Sequence, residues 1–165
     1  MKRAIKLSMS IIALFLVICL SACDAESATD VVARSLNIDV SNAEEISYTD
    51  SHGGFHNDGT TYIALKFEDD TMAEQLKEND KWSSFPLDDT VQTLVYGKED
   101  ETSKTGPFLS DGAGNPLVPE IQNGFYLLID HQSDKTDILE RASFNFTVGL
   151  YDADNNILYC CKLDT

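Results

Sequence analysis

Basic residues are scarce in this sequence: 12 lysines and arginines stand against 28 aspartates and glutamates, a net charge of −16. Three of the basic residues, Lys2, Arg3 and Lys6, precede the first acidic residue, Asp24. The rest of the chain is therefore more acidic still. A body of this charge repels nucleic-acid phosphates and anionic lipid headgroups, so we expect no nucleic-acid partner.

The sequence also lacks a run of about 20 apolar residues, the length that a membrane-spanning helix requires. Its apolar stretch covers residues 7–20, is interrupted by serines and follows the basic segment MKRAIK. A basic segment followed by a short apolar stretch is typical of a secretory signal peptide. We therefore expect the chain to be exported and not to insert a spanning helix.

The apolar stretch ends in the tetrapeptide Leu20-Ser21-Ala22-Cys23. Leucine, two small residues and cysteine in this order resemble the lipobox of bacterial lipoproteins. The resemblance implies cleavage before Cys23 and a covalent diacylglycerol or other acyl lipid, such as palmitate, on that residue. Two or more acyl chains anchor a protein stably, so we expect the protein at the extracytoplasmic face of the cell membrane. The alternative is an ordinary signal cut at Ala22 or Ala25.

These features predict three segments. Residues 1–22 are the cleaved lipoprotein signal peptide, residues 23–29 are the lipidated cysteine with a short tether, and residues 30–165 are a single domain. Cleavage of 22 residues from the 165 leaves 143, and loss of the three N-terminal cations lowers the net charge from −16 to −19. A chain of this length suffices for one domain with its own core.

Cysteine is also rare after processing, and no C-x-x-C motif is present. Cys19 leaves with the signal and Cys23 is acylated, which leaves the adjacent pair Cys160-Cys161. Neighbouring Cα atoms lie about 3.8 Å apart, closer than in most disulfides. Alternation along a strand predicts one of the two in the core and the other facing outward. A redox role for the pair is the minor alternative.

Apolar periodicity predicts an α+β domain. Alternating apolar residues predict two strands around residues 46–67 and three strands after residue 124, while helical spacing lies between them and near Asp30. Strands joined by short connections pair antiparallel. We expect two layers, a roughly five-stranded antiparallel sheet with two or three short helices on one face.

The segment HGGFHNDG connects the first two strands and holds the candidate metal ligands His52, His56 and Asp58, with Asp50 beside them. Zinc takes three or four ligands at about 2 Å. Residues four apart on a strand lie about 13 Å apart, so zinc fits only if the loop folds back. The favoured interpretation is a demanding hairpin connection, in which the glycines supply positive φ and Phe55 packs on the core.

A second pattern, Asp152-x-Asp154-x-Asn156, imitates the start of an EF-hand calcium loop. The glycine that such a loop needs is replaced by Ile157, and its final glutamate by Leu163, so we expect a hairpin turn. G-x-S-x-G, P-loop, dinucleotide and H-E-x-x-H motifs are all absent. The absence of these motifs therefore favours a protein that is not an enzyme.

Three segments resemble one known group. LNIDVSNAEEISYTDSHGGFHNDGTTYIALKF, GNPLVPEIQNGFYLLID and SFNFTVGLYDADNNILYCCKLD are similar to small uncharacterised surface lipoproteins of Gram-positive, clostridia-like bacteria. The resemblance covers most of the mature chain. It implies lipid attachment at Cys23 and no catalytic residue.

The sequence thus leads to three functional hypotheses. The leading one is a non-enzymatic lipoprotein without a cofactor, which contacts the membrane through its lipid and binds a protein or envelope component. The second is a metal-dependent enzyme or a zinc-binding protein that uses the loop of His52 and His56. The third is an inhibitor or immunity-like module, which fold analogy alone suggests. Outward presentation of Phe55 or of the turn at 110–119 would favour the third.

Overall fold

The computed structural model of the chain describes residues 26–53, 58–133 and 136–165. The helices and strands, in chain order, are α1 (Ala28–Leu36), β1 (Glu44–Asp50), β2 (Gly59–Lys66), α2 (Thr71–Lys77), β3 (Ser83–Ser84), α3 (Asp89–Val95), β4 (Lys98–Glu99), β5 (Lys104–Thr105), β6 (Gly124–Asp130), a 3₁₀ turn (Ile138–Glu140), β7 (Asn145–Asp152) and β8 (Ile157–Asp164). No helix within these ranges is long and apolar enough to cross a membrane.

The main sheet of the described residues has six antiparallel strands in the order β1-β2-β8-β7-β6-β3, and β4 and β5 form a separate ribbon. The predicted α+β class with an antiparallel sheet is confirmed. The five predicted strands are the long ones, and the two-residue β3 adds a sixth at one edge. β7 lies inside the sheet, and all but the first of its residues are buried.

Both faces of the sheet are covered. α1 and α2 pack on one face, where they bury Ile63, Leu65, Tyr151, Leu158 and Cys160. α3, the 3₁₀ turn and the loop before β6 pack on the other, where they bury Ala64, Phe146, Val148, Leu150, Tyr159, Cys161 and Leu163. The helices on one face are as predicted, but the covered second face makes three layers where two were expected. Much of the third layer is irregular loop, which has no periodic pattern to reveal it.

The prediction that one of the two adjacent cysteines faces outward is wrong. Cys160 and Cys161 point to opposite faces, yet both are fully buried because each face has a cover, and both are free thiols. Burial raises the pKa of Cys160 to about 12 and raises the pKa of Cys161 well above its ordinary value.

We therefore expect both thiols to resist modification in the folded protein. The thiolate is the reactive form, so labelling by a maleimide at pH 8 should be at least about 100-fold slower in the native state than in urea. The measurement uses the protein without its signal peptide and with the substitution Cys23→Ala, so that Cys160 and Cys161 are the only cysteines left. Mass spectrometry then counts the labelled thiols. Rapid labelling of either residue in the native state would show that the sheet is not covered there.

The first helix begins slightly before Asp30. Ser27 caps α1, since its Oγ accepts a hydrogen bond of 3.2 Å from the backbone N–H of Asp30, and Asn37 ends the helix in the left-handed conformation. Ala28 is buried in the core. Helix α1 therefore begins two residues before Asp30, because Ser27 caps it at a position that the apolar pattern does not indicate.

The predicted hairpin turn between the last two strands is confirmed. The Asp152 carboxylate accepts hydrogen bonds from the backbone N–H groups of Asp154 (3.0 Å) and Asn155 (3.1 Å). Asn156 closes the turn with a φ of 50°, a conformation that asparagine tolerates better than most residues. The acidic pattern in this segment therefore serves the turn.

Candidate functional site

His52 lies just after β1, and two carboxylates hold its ring. Its Nδ1 lies 2.5 Å from Oδ1 of Asp50, and its Nε2 lies 3.1 Å from Oδ2 of Asp164. The hydroxyl of Thr61 is 3.3 Å from Nδ1. The imidazole side chain is only 11% exposed. We name Asp50, His52, Thr61 and Asp164 the histidine cluster.

Strand register assembles the histidine cluster. β2 pairs with β1 on one side and with β8 on the other, so Asp50 is opposite Thr61 and Gly59 is opposite Asp164. Gly59 makes room for the histidine, because a Cβ there would lie 2.5 Å from the Cα of His52. Both strands that flank β2 therefore contribute a carboxylate at the same end of the sheet.

The electrostatics of the cluster follow from its hydrogen bonds. Carboxylates only accept hydrogen bonds, so the doubly protonated imidazolium is the form of His52 that donates to both aspartates. Partial burial raises the pKa of Asp50, but the side-chain and backbone hydrogen bonds from His52 outweigh it and leave this pKa below its ordinary value. The cluster is thus a hydrogen-bonded link between the first hairpin and the last strand.

The predicted metal ligands come together only in part. His52 joins Asp50 and Asp164, whereas Asp58 is exposed and His56 lies outside the described residues, as do Phe55 and Cys23. In residues 26–53, 58–133 and 136–165, no three or more His, Cys, Asp or Glu side chains are grouped to hold a metal ion. Zinc binding through His56 stays a prediction.

The link between His52 and Asp50 should be visible in the pH dependence of stability. A carboxyl with a lowered folded-state pKa stabilises the fold above its unfolded pKa of about 3.9, and this contribution disappears as the pH falls through the folded value. Asp50→Asn should thus cost about 0.5–1 kcal/mol at pH 6, as for a partly exposed pair, and nothing near pH 2. Urea unfolding of both proteins measures the difference.

The exposed Asp80 provides the matched control. Asp80→Asn removes the same charge without the contact to His52, so its unfolding free energy should follow the unmodified protein at every pH. An equal loss from both substitutions would mean that net charge, and not the histidine cluster, controls the difference.

A second feature is a cleft of about 660 Å³ on the α3 side of the molecule. Its walls come from three places: the segment at the cis Phe85–Pro86 bond, α3 with its C-terminal cap, and the loop at 116–123. Asp88 fixes α3, since its carboxylate accepts from the N–H of Val91 (2.8 Å) and from the hydroxyl of Tyr126 (3.3 Å) on β6.

The cleft combines apolar walls with fixed polar groups. The hydroxyl of Tyr96 donates a 2.8 Å hydrogen bond to the Pro119 carbonyl, and the Gln122 amide donates to the Glu120 carboxylate at 3.0 Å. Burial raises the pKa of Tyr96 to about 12, which keeps its hydroxyl protonated. Its lining residues are Phe85, Pro86, Leu87, Gln92, Tyr96, Pro116, Val118, Pro119, Glu120, Ile121, Gln122 and Asn123.

The lining determines what the cleft can do. Among the described residues that form it there is no serine, cysteine, histidine, lysine or arginine. It therefore offers no nucleophile paired with a base and no cation for an anionic ligand. Apolar contact, amide hydrogen bonds and one carboxylate suit the binding of an uncharged or cationic group.

Comparison with known proteins does not assign the chain to a group. No family model, curated protein or solved structure matches it. The fold defines an α+β protein whose antiparallel sheet is covered on both faces.

Proposed function

We propose that this protein is a lipoprotein, anchored at the extracytoplasmic face of the cell membrane by acyl chains on Cys23, whose folded body binds another envelope component. Leu20-Ser21-Ala22-Cys23 supports the anchor. The start of α1 at Ala28 leaves four residues between Cys23 and the first helix. Such a tether spans less than about 20 Å, so the body stays close to the membrane surface.

The cleft is the observation that carries the binding function. Its volume of about 660 Å³ is in the usual range for ligand sites, roughly 300–1,000 Å³, and its walls combine apolar side chains with the polar groups of Gln92, Tyr96, Glu120, Gln122 and Asn123. No reactive pair lies among its described lining residues. This favours recognition over catalysis.

Site-specific photocrosslinking in live cells tests this function. A benzoylphenylalanine at Gln122 places the probe at the cleft, and one at Gln75 places it on the exposed side of α2. We expect a reproducible crosslinked partner from Gln122 and none from Gln75. Absence of any adduct from Gln122, or the same adducts from both positions, would contradict binding at the cleft.

The zinc alternative has a separate test. Both ring nitrogens of His52 contact carboxylates, so we expect native mass spectrometry to find the protein free of metal in excess zinc. One tightly bound zinc that is lost in both His52→Ala and His56→Ala would replace the binding function by the metal-dependent one.

One observation favours the inhibitor-like module as a second candidate. Residues 111–116 are exposed, and the Asp111 carboxylate holds the loop by accepting from the backbone N–H groups of Ala113 and Asn115, both at 2.9 Å. A fixed, protruding loop is suited to entering the cleft of a partner. A crosslinker at Ala113 that captures an enzyme, while Gln122 captures nothing, would favour this candidate.

A further inference from the structure

β1 has a free edge. It stands at the end of the six-stranded order, with β2 on one side only. The N–H of Ser51 donates to the carbonyl of Thr60 at 3.0 Å, which fixes the direction of the backbone groups. In an antiparallel pair these directions alternate, so Tyr48 and Asp50 turn their N–H and C=O groups away from β2. Two residues of β1 are thus open to a further strand.

The same strand has exposed apolar side chains. Among the described residues, the large hydrophobic side chains that are exposed are Ile46 (52%) and Tyr48 (37%), and both lie on β1. Tyr48 and Asp50 are two apart, so their side chains lie on one face of the sheet. There they line a pocket of about 320 Å³. Backbone pairing and side-chain contact are therefore available at one place.

One carboxylate oxygen of Asp50 remains for a hydrogen bond to a partner. Its hydrogen bonds within the described residues, from the ring and backbone of His52 and from Thr61, all use Oδ1. Its side chain is 44% exposed. The remaining Oδ2 is an acceptor for a cation that approaches along the edge.

We propose that the free edge of β1 binds an extended segment of a basic protein by strand addition. A lysine or arginine opposite Asp50 binds its Oδ2, and an apolar side chain two residues away packs on Tyr48. Main-chain hydrogen bonds supply affinity in this mode, and alternate side chains supply specificity. The bulge between Glu45 and Ser47 limits regular pairing to residues 47–50, so the segment is short.

Charge selects the partner. Glu44, Glu45 and Asp50 lie on β1, and the whole chain has a net charge of −16. A second copy of this chain would bring another acidic strand against the first, which like charges oppose. A basic segment gains the attraction that a second copy lacks. The pocket also contains Lys162, whose positive charge repels a second cation. The lysine or arginine of the partner therefore lies at Asp50 and does not extend further into the pocket.

This inference goes beyond the proposed function because the edge of β1 is a different site from the cleft, and it rests on that function only in requiring a partner in the same compartment. The probe is the peptide acetyl-TKTVTKT-amide, in which lysine and valine are two apart in both directions. The control is acetyl-TETVTET-amide. Both are added to the full-length lipidated protein in detergent, and hydrogen exchange is followed by NMR.

We expect the lysine peptide to slow amide exchange at Tyr48 and Asp50, while Ser47 and Thr49, which already face β2, change little. The lysine peptide should bind at least tenfold more tightly than the glutamate peptide. Tyr48→Pro removes an outward N–H and should abolish protection at Asp50. Asp50→Asn should weaken binding of the lysine peptide by three- to tenfold, whereas Asp80→Asn should not.

Equal binding of the two peptides, or no protection of β1 at about 1 mM lysine peptide, would overturn strand addition. The exchange data on the unmodified protein decide this even if a variant fails to fold. Crosslinking from Gln122 without protection of β1 would remove this inference and retain the proposed function. Protection of β1 without a crosslinked partner at Gln122 would retain this inference and contradict binding at the cleft.

Discussion

A Cys23→Ala variant is expected to move from the membrane fraction to the soluble extracytoplasmic fraction almost completely. Each buried CH₂ group of an acyl chain contributes about 0.8 kcal/mol to membrane binding, so two chains anchor stably while the acidic body itself has no affinity for anionic lipid. Loss of the proposed lipid attachment point should therefore give a large change in the membrane-bound fraction. Fractionation of cells followed by immunoblotting measures it.

Cys19 provides the matched control for this experiment, since it lies four residues earlier in the apolar stretch. Cys19→Ala keeps the hydrophobic character of the signal and leaves the lipobox intact. This variant should stay with the membrane and incorporate labelled palmitate, whereas Cys23→Ala should incorporate none. A Cys23→Ala protein that still incorporates palmitate would exclude lipid anchoring at this residue.

A Gly124→Ala variant is expected to lose about 3 kcal/mol or more of its unfolding free energy. A Cβ at Gly124 would lie 1.8 Å from the carbonyl oxygen of Tyr151, which is backbone in the neighbouring strand and cannot rotate away. β6 and β7 must separate locally to admit it. A loss of this size lowers the melting temperature by about 10 °C in a domain of this length.

Gly112 provides the matched control, because a glycine-to-alanine substitution there places the Cβ where no other atom is near. No atom lies within 4 Å of a Cβ placed there. Gly112→Ala should change the unfolding free energy by less than about 0.5 kcal/mol. Because β6 begins directly after the loop of the cleft, Gly124→Ala should also weaken crosslinking from Gln122. Equal melting temperatures for the two variants would refute the close approach of β6 and β7.

Local patterns in the sequence were sufficient to predict the five long strands of the sheet. Apolar alternation located the five long strands, and Asp152-x-Asp154-x-Asn156 marked the last hairpin, because both depend on neighbours in sequence. The outward position of one cysteine was predicted wrongly because the burial of that residue depends on residues that are distant in sequence. The irregular loop that contributes to covering Cys161 comes from a distant part of the chain and has no periodicity.

The two sites differ in how much of each was predictable. His52 and Asp50 stand close together in sequence, so their association with the first hairpin could be proposed. Asp164 could not be included, because nothing local indicates that the last strand pairs with the second. The cleft was missed altogether: Phe85, Tyr96 and Ile121 meet only through tertiary packing, and such residues are indistinguishable in sequence from ordinary core.

The buried position of Ala28 has a consequence for how strongly the edge of β1 must bind. In the proposed function, a lipid on Cys23 lies only four residues from the helix that begins at Ala28 and confines the protein to a thin layer above the bilayer. A partner that is itself held at the membrane then meets it by lateral diffusion, at an effective concentration far above that of two free proteins. Under that condition the proposed strand addition can be weak in solution and still suffice.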